Sequence, residues 1–236
     1  MLKRTKKAFT LIELLVVISI IALIGSGSVM LVNWNSGKQS LRTAQQQLMS
    51  AFEEARLLSC SKNARSRVLI YKGDDLTRKL RQVGLVYEYF DEDGNSLGWA
   101  SYSNAIMLPK GVFFVPTSGE YNAYATLSEG FKGQRLMYST FRNGTTGAPS
   151  IVGISHFGSR KPQSMGEGNG DWYCYEFSPE GLSENPSAQI VVATGALNAS
   201  GKYVQSNPYD ILGFRIVKSG KCVGFSDYAE IEGTFQ

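Results

Sequence analysis

Histidine and cysteine are scarce in this chain. His156 is the only histidine, and Cys60, Cys174 and Cys222 are the only cysteines among 236 residues. The side chains most used for proton transfer near neutral pH, thiol catalysis and transition-metal ligation are therefore almost missing. His156 stands in a strand-like run before a glycine with no candidate partners nearby, and no nucleophile-elbow pattern flanks any serine. Catalysis needs a convergent constellation, so the sequence reads as a non-enzyme, with no catalytic residue, cofactor or metal assigned. Net charge is scarce as well. The formal +4 comes from Lys3, Arg4, Lys6 and Lys7; without them 24 Lys+Arg fall to 20, against 20 Asp+Glu. A near-neutral chain argues against a nucleic-acid-binding field over the whole molecule, though not against a local basic patch. No internal repeat is visible, and there is one long apolar run and no second.

That run sits at the start. Residues 1–8, MLKRTKKA, carry four cations and no acid, and from Leu14 to Val32 the chain is apolar except for Ser19 and Gly25-Ser26-Gly27-Ser28. These 19 residues approach the ~20 a helix needs to cross the hydrocarbon core. Basic residues before the span predict a cytoplasmic N-terminus and an exported remainder. An ordinary secretory signal with a cut near Gly25-Ser26-Gly27 is the plainer reading, but it leaves one acid, Glu13, unexplained. A carboxylate at mid-membrane costs ~2.5–3.5 kcal/mol on insertion scales and by default marks a functional site.

The run Ala8-Phe9-Thr10-Leu11-Ile12-Glu13 resembles the class III leader of type IV pilins and type II secretion pseudopilins. In that family a prepilin peptidase removes a short basic leader on the cytoplasmic side, the new first residue is N-methylated, and a glutamate stands fifth in the mature chain. The resemblance implies cleavage between Ala8 and Phe9, N-methylation of Phe9 and an assembly role for Glu13. That carboxylate would pair with the N-terminal amine of a neighbouring subunit. The family has glycine before the cut; Ala8 is the smallest substitute for it.

After Asn33-Trp34-Asn35-Ser36-Gly37, where a loosened or kinked turn is expected at Gly37, helical periodicity resumes. Leu41, Ala44, Leu48, Phe52, Ala55 and Leu58 recur every three or four residues, which predicts an amphipathic helix over 38–64 with its stripe on a sheet. From residue 67 short β-rich runs alternate with Gly, Asn, Ser and Pro clusters: 68–71, 83–90, 105–108, 112–115, 136–141, 151–156, 172–177, 189–193, 214–217 and 222–225. Long loops are expected at 117–133 and 158–170. The reading is an α+β, pilin-like fold: leader 1–8, transmembrane and assembly helix 9–37, and globular domain 38–236 with an antiparallel sheet packed on the helix.

Asp91-Glu92-Asp93-Gly94-Asn95-Ser96 spaces acids like the start of an EF-hand loop, but position six is Ser96 and position twelve Tyr102, so a hairpin turn to 97–102 is the better reading. Trp172, Tyr173, Tyr175 and Phe177 alternate between sheet faces and read as core. In an exported domain three cysteines allow one disulfide. Cys174 and Cys222, both in strand-like runs, are the candidate pair, with three unbridged thiols as the alternative.

Three later stretches add a weaker resemblance to GspH-like and FimT-like minor pseudopilins and pilins. They are Ala51-Phe52-Glu53-Glu54-Ala55-Arg56, Phe177-Ser178-Pro179-Glu180-Gly181, and the run from Phe214 to Cys222 around Gly220. The resemblance implies a filament subunit, minor in type, of a type II secretion pseudopilus or type IV pilus. It would be inserted once in the inner membrane with its globular domain in the periplasm. Its partners would be prepilin peptidase, other pilins or pseudopilins, the inner-membrane assembly platform and the membrane. The competing reading is a ligand- or DNA-binding minor pilin of an uptake or adhesion filament. The tail from Ser226 to Gly233, with Asp227, Glu230 and Glu232, is acidic, which disfavours nucleic acid.

Overall fold

A computed structural model of the chain describes residues 11–116, 151–152, 162, 172–185, 188–207, 209–226 and 230, by backbone alone at 21–36 and 151–152. The expected strand 136–141, the expected loop 117–133, all of the expected loop 158–170 but residue 162, His156, the Ala8–Phe9 junction and most of the acidic tail lie outside these residues. The chain divides into two compact units, Met1–Gln39 and Ser40–Gln236.

Helix α1 runs from Leu11 to Lys62. The loosened turn expected at Gly37 is not there, because one glycine costs only ~1 kcal/mol in a helix interior and its neighbours are helix-compatible. The helix stops at Asn63, which turns left-handed (φ 48°). The amide of Ala64 then reaches back to the Ser59 carbonyl at 3.2 Å, satisfying an end group of the helix. Ser66 at the start of the first strand returns to the same helix, donating from its buried hydroxyl to the Ala55 carbonyl at 2.7 Å.

Two antiparallel sheets, not one, meet the helical stripe. The first contains β1 (Ser66–Tyr71), β2 (Gln82–Phe90), β3 (Ser96–Ser101), β4 (Ile106–Met107), β6 (Ile151–Val152) and β7 (Trp172–Phe177) in the order β3-β2-β1-β7-β6, with β4 also on β2. The second contains β5 (Val112–Phe114), β8 (Gln189–Leu197), β9 (Tyr203–Gln205), β10 (Ile211–Ile216) and β11 (Cys222–Gly224) in the order β11-β10-β8-β5, with β9 also on β8. Leu41, Ala44, Leu48, Phe52 and Ala55 join Val68, Ile70 and Tyr175 of the first sheet and Ile190, Val192 and Phe214 of the second in one buried core. Alternation along the strands decides the rest. In β7, Tyr173, Tyr175 and Phe177 face this core, whereas Trp172 and Cys174 join Leu69, Tyr71, Val86 and Trp99 in a second cluster.

The expected hairpin is present as β2–β3. Its turn is closed by Asp91, whose Oδ1 accepts from the amides of Asp93 (3.0 Å) and Asn95 (2.7 Å) while Oδ2 accepts from the Asn95 side chain (3.1 Å). Gly94 supplies the positive φ of 81°. The carboxylate that suggested calcium is thus occupied by its own turn, and the Asn95 and Asp93 donors hold it below the usual carboxylate range.

Candidate functional site

Residues 11–20, LIELLVVISI, are helical, and their apolar side chains point to every side. No face is polar enough to make the segment amphipathic, so every large hydrophobic in it is exposed, from 81% at Leu11 to 47% at Val17. Covering such a side chain fully is worth ~1.5–3 kcal/mol, and a helix that is apolar all round needs a lipid or protein environment. The one hydroxyl is satisfied locally: Ser19 donates to the Leu15 carbonyl at 2.8 Å. Glu13 stands exposed in the first described turn. Among the described residues no helix is long and apolar enough to cross a membrane. The apolar run continues beyond residue 20 into positions described by backbone alone.

In the second unit, the three weakly matching stretches meet around one side chain. A Cβ built on Gly181 would lie 3.2 Å from Arg56 Cγ and 2.6 Å from Cys60 Sγ, and one on Gly220 would lie 2.7 Å from Arg56 Cδ. Both glycines have positive φ, 76° and 75°, so they serve both the turn and the close approach of the arginine stem. Arg56 pairs with Glu53 at 3.1 Å, and the other oxygen of Glu53 accepts the Cys222 amide at 2.9 Å. More than two turns earlier, Gln45 donates to the carbonyls of Gly213 (2.5 Å) and Phe225 (2.8 Å). The helix therefore holds the closing strands β10 and β11 by side-chain bonds as well as by its apolar stripe. Periodicity alone places Glu53 and Gln45 on polar faces and misses this role. The signal available was the co-occurrence of the helix-end motif with the two glycine turns.

A second network was also missed. On the face of the first sheet turned away from the helix, Arg65 pairs with Glu88 (2.8 Å) and Glu176 (3.3 Å), Arg67 pairs with Glu176, and the Arg67 guanidinium lies 4.0 Å from the centre of the Trp99 ring. The hydrogen bond from Arg65 holds the Glu88 carboxyl below its usual range. A single charged residue among the hydrophobics of each strand, Arg67 in β1, Glu88 in β2 and Glu176 in β7, was the visible sign. The two acids answer the two arginines, so the network ties strands together.

The candidate disulfide is not formed. Cys174 lies in the second cluster on β7, while Cys222 lies on β11 of the other sheet, next to the helical core; the two sulfurs are unbridged. Strand alternation turns Cys174 away from the core that Cys222 borders. Burial, with the nearby Glu53 charge adding to it, pushes the Cys222 thiol up to about 12, which leaves it protonated and unreactive at neutral pH. Maleimide should therefore modify the exposed Cys60 in the folded protein and add to all three cysteines in denaturant without reductant. Two blocked thiols in denaturant would mean a bridge.

Residues 3–29 match the family model of the prokaryotic N-terminal methylation motif. The chain therefore carries the prepilin-type signature of type IV pilins and pseudopilins. No curated protein and no solved structure matches it significantly. The match spans the four basic residues Lys3, Arg4, Lys6 and Lys7, then Ala8, Phe9 and Glu13, and the exposed apolar helix described above.

Proposed function

We propose that the protein is a structural subunit, minor in type, of a type II secretion pseudopilus or type IV pilus, cut by prepilin peptidase between Ala8 and Phe9 and polymerised through its N-terminal helix. The observation that carries the reading is the coincidence of the methylation motif with a helix apolar on all sides and one acid, Glu13, in its first described turn. A membrane can cover that helix before assembly, and neighbouring helices can cover it afterwards. Cleavage frees the amine of Phe9, which is then methylated, and presents it to the carboxylate of an adjoining subunit. In low dielectric such a pair is strong and either member alone is costly, so it fixes register between subunits. Uncleaved protein has no amine at that depth, which makes cleavage the assembly switch.

The globular unit stays on the periplasmic side of the inner membrane in this reading, and the subunit enters the filament with other pilins at the assembly platform. The convergence of Arg56, Gly181 and Gly220 supports the narrower resemblance to GspH-like and FimT-like subunits, because all three short motifs share one structural purpose. The role is structural, not catalytic.

Processing kinetics test the assignment. In cells with and without prepilin peptidase, pulse-labelled protein should shorten only when the peptidase is present, and Ala8→Gly should be cut at the same rate or faster. Slower cutting of Ala8→Gly would mean that the junction lies elsewhere.

A further inference from the structure

We propose that the globular unit carries a binding site for a phosphomonoester, formed where the β1–β2 connection meets the β8–β9 turn. A cavity of about 230 Å³ there is lined by Lys72, Lys79 and Lys202, with Leu80, Pro116 and Tyr203 among its apolar lining residues, and no acid is among its described lining residues. Outside residues 1–8 the charges balance, so three lysines around one small cavity are a local departure; the Lys72 ammonium lies 5.5 Å from the centre of the Tyr173 ring, and neither Lys79 nor Lys202 is in an ion pair among the described residues. The nearby Asp75 carboxylate is taken by its own turn, accepting from the Thr77 amide (3.0 Å) and hydroxyl (2.7 Å).

The surrounding backbone is fixed. Asn198 Oδ1 accepts from the Ser200 amide (3.0 Å), the Ser200 hydroxyl (2.8 Å) and the Lys202 amide (2.9 Å), which sets the β8–β9 turn. Leu80 is tied on both sides: its amide donates to the Tyr71 carbonyl and its carbonyl accepts from the Phe114 amide, each at 2.8 Å. It is buried and holds a φ of 58°. A bulky residue in that conformation is an outlier that persists only where its surroundings dictate it, and such strain gathers at ligand sites. With the backbone set, only the lysine side chains have freedom to lose when an anion arrives.

Charge selects the ligand. A carboxylate would answer only one of Lys79 and Lys202, whereas a phosphomonoester carries about −1.5 to −2 at pH 7 with three strong acceptor oxygens. The apolar lining favours a ligand whose carbon body covers Leu80, Pro116 and Tyr203. Soluble sugar phosphates and lipid phosphate headgroups share this chemistry. The cavity is far too small for a nucleic-acid duplex. This inference stands independently of the filament role.

Calorimetric titration of the full-length protein in nonionic detergent provides the test, with inorganic phosphate, glucose 6-phosphate and short-chain phosphatidic acid as separate probes. Saturable, salt-sensitive binding is expected, tighter for the two esters than for inorganic phosphate; the tighter of the two esters identifies the source. Lys79→Gln with Lys202→Gln should weaken it by on the order of tenfold or more. Gly201→Asp offers a second route. Aspartate tolerates the φ of 72° at this position, and its Cβ would lie 3.5 Å from Lys79 Nζ and 3.2 Å from the exposed Leu76. A carboxylate placed there competes in cis and should remove binding. Absence of saturable binding, equal binding by these variants, or stronger binding of duplex DNA at the same lysines would each overturn the proposal.

Discussion

Glu13→Leu should leave membrane insertion and leader cleavage intact and remove the protein from filaments. Insertion becomes easier, since a charge costing ~2.5–3.5 kcal/mol at mid-membrane is replaced by a favourable leucine. Assembly fails because the amine of an adjoining subunit is then buried without its partner, a loss of about 3–5 kcal/mol for a broken buried pair. At 1.4 kcal/mol per factor of ten, this corresponds to roughly 10² to 4 × 10³ in the association constant of each contact. Glu13→Gln keeps the shape and one acceptor but loses the charge, and should fail nearly as badly. The measurement is the ratio of subunit in sheared filaments to cleaved subunit in the membrane. Normal incorporation of both variants would remove amine pairing from the account of this subunit and place it at a tip position that needs no such contact.

Phe52→Ala should cost the globular unit about 3–5 kcal/mol, the range for deleting a buried phenylalanine ring. Phe52 is fully buried, and its ring centre lies 5.2 Å from that of Tyr175, 6.3 Å from Phe177 and 5.3 Å from Phe214. The first two belong to the first sheet and the third to the second, so one helical side chain joins both layers. Against a typical total of 5–15 kcal/mol, the loss leaves a marginal fold. Phe52→Leu, which retains most of the volume, should cost much less. Denaturant titration followed by tryptophan fluorescence gives both values, because Trp99 and Trp172 are buried. A Phe52→Ala loss below about 1 kcal/mol, outside the large-to-small core range, would mean that the sheets cohere without the ring.

The elements governed by a single period were readable in the sequence. Leu41, Ala44, Leu48, Phe52, Ala55 and Leu58 were identified by helical spacing, and all six are buried. The run 172–177 became β7 with the expected alternation. Pairing between strands was not readable, because alternation says which residues face inward and not which strand lies alongside. The single expected sheet therefore proved to be two, and β9, only three residues from Tyr203 to Gln205, gave too short a pattern to recognise. The same limit undid the pairing of Cys174 with Cys222: both stand in strands, but on different sheets. Gly37 misled in the other direction, since a local propensity was allowed to outweigh the helix on both sides of it. At the candidate site, Glu13 stood out because an acid in an apolar run is costly. Glu53 and Gln45 did not, because a polar residue on a helix looks the same whether it meets water or the backbone of a distant strand.

The most direct measurement is the intact mass of the subunit recovered from sheared filaments of cells that contain prepilin peptidase. The account predicts one species that begins at Phe9 and is heavier by a single N-terminal methyl group, with uncleaved protein confined to the membrane. A filament fraction without the protein, or a mature form beginning after Gly27, would contradict it.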